Sequence, residues 1–81
     1  MIAQQVRLKI VGWDDPAFRS TVENVVDSVR QAGLDLDSVD GLLAAETTLR
    51  LAGYPEATIR DRRTIDDVMA MTTSWEVRRL P

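Results

Sequence analysis

The residues with most chemical promise lie together, in Gly33-Leu34-Asp35-Leu36-Asp37-Ser38-Val39-Asp40. Ser38 directly follows an aspartate and precedes an apolar-striped stretch, so its hydroxyl stands at the expected start of a helix. Asp35, Asp37, Asp40 and Glu46 put negative charge around it. The simplest chemistry for this pattern is structural. Serine and aspartate collect at helix starts because their oxygens accept from backbone N–H groups that have no helical partner.

Two other chemistries compete with a cap. Asp35, Asp37 and Glu46 match positions 1, 3 and 12 of a calcium-binding EF-hand loop. Val39 then occupies the third ligand position and Asp40 the place of the turn glycine, so such a loop holds calcium poorly. The remaining option is an exposed hydroxyl that accepts a group from another enzyme.

Composition removes most autonomous catalysis. The chain has no histidine and no cysteine, which excludes Ser-His and Cys-His nucleophiles, His-based zinc sites and disulfides. Lys9 is the sole lysine. The expectation is a non-enzyme. Eighty-one residues make one domain, 1–81, with one modest core. No apolar run suits a membrane span and no signal pattern opens the chain, so a cytoplasmic location is expected. Residues 1–46 carry eight acids and four bases, and residues 47–81 five acids and six bases. That imbalance suggests a basic protein partner in preference to nucleic acid. Arg60, Arg62 and Arg63 form the basic cluster, but Asp61, Asp66 and Asp67 sit beside it without an interleaved aromatic.

The stretch around Ser38 resembles the attachment motif of acyl and peptidyl carrier proteins, where a serine after aspartate opens the second helix. Gly53, fifteen residues beyond Ser38, and Arg62-Arg63-Thr64-Ile65-Asp66-Asp67-Val68 extend the likeness. The resemblance implies an all-α fold, a small acyl-carrier-like helical bundle. It implies a 4′-phosphopantetheine arm on Ser38, with Asp37 beside it, and acyl or aminoacyl cargo held as thioesters. It implies a phosphopantetheinyl transferase and acyl-transferring enzymes as partners, met through Asp35, Val39, Asp40 and Glu46. The chain departs from that pattern in placing a strong helical stripe at residues 16–32, where the family has a long loop.

The elements that would position these residues follow from spacing. Phe18, Val22, Val25, Val26 and Val29 share one helical face, with Asp15 as N-cap, Pro16 in the first turn and Gly33 past the end. A second helix is expected from Ser38 to about Ala52, with Val39, Leu42, Leu43 and Leu49 inward and Gly53 stopping it. Residues 55–63 read as irregular. A third long helical segment begins at Thr64, with Ile65, Val68 and Met69 in the core. Trp13, Phe18, Tyr54 and Trp75 read as core or core-edge residues. Residues 5–11 fit either a strand or a short helix, and 75–80 either a helical continuation or a strand. If both are strands and pair, the fold is α+β, Ser38 is only a cap, and the chain is a non-catalytic protein-interaction domain. A helix-turn-helix is a weaker alternative, since Arg50 is the second helix's sole base.

Overall fold

The computed structural model describes residues 5–79. In chain order it holds β1 (Gln5–Val11), α1 (Pro16–Gln31), α2 (Val39–Leu51), β2 (Ala57–Asp61), α3 (Ile65–Met69) and β3 (Thr72–Arg79). The fold is therefore α+β, and the expected all-α bundle is corrected. Three strands form one mixed sheet in the order β1-β3-β2. β3, the last in sequence, is the central strand. It runs parallel to β1 and antiparallel to β2.

The register explains the two faces of the sheet. Val6, Leu8 and Ile10 lie opposite Thr73, Trp75 and Val77, and Ile59 also faces Val77. Side chains alternate across a strand, so these residues share one face. Thr73, Trp75 and Val77 are fully buried there. α1 and α2 pack over that face, contributing Phe18, Val22, Val25, Val26, Val29, Ala45 and Leu49 to a single core. The opposite face carries Arg7, Lys9, Thr58, Arg60, Ser74, Glu76 and Arg78.

α1 forms as its spacing predicts. The Asp15 carboxylate accepts from Ala17 N at 3.0 Å, Pro16 occupies the first turn, and Gly33 takes φ 77° after the last turn. At the start of α1, Trp13 stacks on Phe18 at 4.1 Å, and Tyr54 meets Phe18 edge-on at 4.7 Å. This cluster joins the β1–α1 turn to the end of α2, where Gly53 has φ 108°.

Three expectations change. Residues 57–61 are a strand, paired with β3, not an irregular loop. The segment from Thr64 makes only a five-residue helix before β3 begins. Val39 and Leu43 on α2, and Ile65, Val68 and Met69 on α3, are solvent-exposed and lie outside the core. Of residues 75–80, Leu80 lies outside the described residues, and the rest belong to β3.

Candidate functional site

The connector before α2 is built from short-range bonds to Asp35. The Asp35 carboxylate accepts from Asp37 N at 2.9 Å, and its carbonyl accepts from Ser38 N at 3.1 Å. Leu36, between them, is buried and fixes the loop to the core. Ser38 is the N-cap of α2, in an extended conformation at φ −91° and ψ 159°. Its Oγ accepts from Gly41 N at 3.0 Å and donates to the Asp35 carbonyl at 2.7 Å. The hydroxyl thus works in both directions. Its proton points to a main-chain carbonyl, which cannot serve as a base.

Gly41 makes this arrangement possible, and no motif in the sequence marks it. A Cβ at that position would stand 2.1 Å from the Asp35 carbonyl oxygen. The first turn of α2 therefore lies directly against the Asp35 backbone, closer than any side chain permits.

Asp37 is drawn away from Ser38 chemistry by the neighbouring strands. Its Oδ1 accepts from the Thr73 hydroxyl on β3 and lies 3.3 Å from Nη1 of Arg63. Arg63 also clasps Asp61 at the end of β2, with Nε donating to both carboxylate oxygens and Nη2 reaching Oδ2 at 2.6 Å. The Arg63 hydrogen bonds hold the Asp61 carboxyl below the usual carboxylate range, and the same bonds raise Arg63. Asp37, Arg63 and Asp61 thus tie the start of α2 to the end of β2. A broad depression of about 800 Å³ opens beside Asp35, Asp37, Met71 and Thr72.

The other expected site residues are dispersed. Val39 and Asp40 are exposed on the first turn of α2. Glu46 faces β2, where one carboxylate oxygen accepts from Ile59 N at 3.2 Å and the other pairs with Arg50 at 2.6 Å. Glu46 therefore stands apart from Asp35 and Asp37. Among the described residues no group of three or more acidic, histidine or cysteine side chains could hold a metal ion.

Two further carboxylates are perturbed, each by a structural partner. Asp67, buried at 7% exposure, completes a capping box with Thr64: its Oδ2 accepts from Thr64 N at 3.0 Å, and Thr64 Oγ1 accepts from Asp67 N at 3.1 Å. The Thr64 backbone bond is the main cause of its lowered pKa, with Thr64's side chain, Arg7 and Arg62 adding to it. Glu76 is lowered by its bond from Arg78 and by Arg62 and Lys9 nearby.

Comparison with known proteins finds no matching family model, no curated protein of significant similarity and no solved structure of significant similarity. Among the described residues, no helix is long and apolar enough to cross a membrane.

Proposed function

We propose that this chain is a non-catalytic protein-interaction domain in which Ser38 is the cap of α2. The observation that carries this reading is the double engagement of the Ser38 hydroxyl, donating to Asp35 and accepting from Gly41. The adjoining Asp37 is likewise committed, to Thr73 and Arg63. The α+β architecture supports it too, because the carrier reading drew its expected surroundings for Ser38 from a helical bundle. Each carboxylate with a shifted pKa answers to a neighbouring Arg or Thr that holds the fold together.

The competing reading, a phosphopantetheine carrier, is separated by intact mass. The folded chain is incubated with coenzyme A, magnesium and several broad-specificity phosphopantetheinyl transferases. The expected result is no added mass. Ser38→Ala is expected to lose about 0.5–2 kcal/mol of stability, the usual value of a serine cap. Addition of one arm, abolished by Ser38→Ala in a folded variant, would overturn the interaction reading and make Ser38 an acceptor.

A further inference from the structure

We propose that the outer edge of β1 takes up an extended segment of a partner protein in which acidic and apolar residues alternate. This rests on the interaction-domain reading and names the surface and the chemistry of the partner.

Among the described residues β1 is an edge strand, with β3 the one strand beside it in the sheet. The backbone groups on its other side are a template for one more strand. Its side chains offer different chemistry on the two faces. On the core side, Val6, Leu8 and Ile10 are only half-buried, although their neighbours Trp75 and Val77 are fully covered. They are left so because α1 does not close over the edge. A cleft of about 370 Å³ lies between α1 and β1, with Val6, Leu8 and Val26 as its apolar walls and two bases, Arg19 and Arg30, balanced by two acids, Glu23 and Asp27, on its rim. A second cleft of about 340 Å³ shares Arg19 with it and reaches Ile10 and Trp13, with Asp14 and Asp15 at its far end, so the groove itself suits uncharged side chains. Together the two clefts run beside Val6, Leu8 and Ile10. A strand added at the edge would direct every other side chain into them.

The alternate side chains of the incoming strand would lie on the open face beside Arg7 and Lys9. Opposite charges across neighbouring strands stabilise the pair, and like charges oppose it. Arg7 is 72% exposed at its side chain and pairs with Asp67 at 3.3 Å. Lys9 lies across from Glu76 on β3, but Arg60 and Arg78 on the same face leave that face basic. Two cations spaced by one residue therefore select acids with the same spacing. They also reject a second copy of this chain. With faces matched, an antiparallel pairing centred on Leu8 would set Arg7 of one copy against Lys9 of the other.

The test uses the intact ¹⁵N-labelled chain and three synthetic peptides: alternating Glu and Val, alternating Lys and Val, and a block of Glu followed by a block of Val. The expected result is that the Glu/Val alternation shifts amides across residues 5–11 and at Glu23 and Val26. It should also slow hydrogen exchange within β1. The Lys/Val and block peptides should bind about tenfold more weakly or worse, a typical cost of a mismatched charge pattern. Lys9→Glu, on an exposed position, should narrow or invert the preference between the two alternating peptides. Equal binding of the block peptide, shifts on another surface, no binding, or an unchanged preference in Lys9→Glu would each overturn the proposal. So would dimerisation of the free chain through β1 in sedimentation experiments. A chain that ignores the peptides but stays unmodified by the transferases loses this inference alone. Modification at Ser38 removes the reading beneath it.

Discussion

α1 turns Phe18, Val22, Val25, Val26 and Val29 inward and buries them all, whereas α3 turns Ile65, Val68 and Met69 to solvent and buries Asp67. Ile65 and Met69 are 82% and 80% exposed. Both segments carry apolar residues at helical spacing, so periodicity alone does not distinguish them. Length does. α1 has sixteen residues and lays a long stripe across the sheet and α2. α3 has five, too few to bury a stripe against anything. It is held instead by polar bonds: the Thr64–Asp67 capping box and the Arg7–Asp67 pair. An apolar pattern predicts burial only where the element is long enough to reach a complementary surface.

The difference can be broken most severely from the α1 side. Val25→Asp puts an unpaired charge among core side chains, and Val25 is 4% exposed. The expected cost is several kcal/mol, comparable to the about 5–15 kcal/mol that holds a domain folded. Urea or thermal unfolding should find the variant unfolded or nearly so. A variant melting within a few degrees of wild type would mean that α1 is not the core helix.

Gly41→Ala comes next. The added methyl meets the Asp35 carbonyl at 2.1 Å, so either the α2 start or the 33–38 connector must move. A loss of about 2 kcal/mol is expected, in the range of overpacked sites. An unchanged urea midpoint would show that the close approach is not needed for the fold.

Acid should separate the two helices. Asp67 titrates below the usual carboxylate range in the folded chain, chiefly through its Thr64 backbone bond. As pH falls, the unfolded chain takes up this proton before the folded one does. The Asp67 contribution is therefore complete above the ordinary carboxylate range and is lost as pH falls through the lowered folded value. Asp61 and Glu76 act with the same sign. Below about pH 4, amide exchange should speed up in α3 while α1 stays protected. Asp67→Asn should weaken this pH dependence. Equal loss of protection in both helices would deny α3 its ionic anchor.

The smallest effect is expected at Ile65→Ser. A large aliphatic residue is replaced, yet stability should change by no more than about 0.5 kcal/mol because the side chain is already in water. A loss of about 2 kcal/mol would show that α3 buries it after all.

The same contrast explains what could be read in the sequence. α1 was legible almost to the residue, because Asp15, Pro16 and Gly33 mark its ends and five apolar residues mark its face. The start of α2 and the capping role of Ser38 were legible for the same local reason. The break after α3 was not. It occurs at Met71, which takes φ 54° without a glycine to signal it, so the pattern reads on as helix. β2 is hard to read because its alternation, Ala57-Thr58-Ile59-Arg60, is only four residues long with two apolar positions, and its pairing with β3 is decided at a distance. The sequence admits pairing of 5–11 with 75–80, but carries no sign of the third strand that pairs with β3 on its other side. At the Ser38 site, Asp37 could be picked out, while Arg63 and Thr73 arrive only through the tertiary fold.

The place of β3 in the sheet sets the order in which this chain can become a protein. Both outer strands depend on it, and it is the last of the three to leave the ribosome. Until residues 72–79 emerge, β1 and β2 have no sheet partner, and the valine stripe of α1 has no Trp75 or Val77 to pack against. The helices can flicker early, but closure joins residues such as Leu8 and Trp75 that lie far apart in sequence. Loop closure over such a span must come before the parallel contacts reward it, which slows folding. The sheet can therefore close only after β3 has been added, and until then the edges of β1 and β2 and the apolar face of α1 stay open.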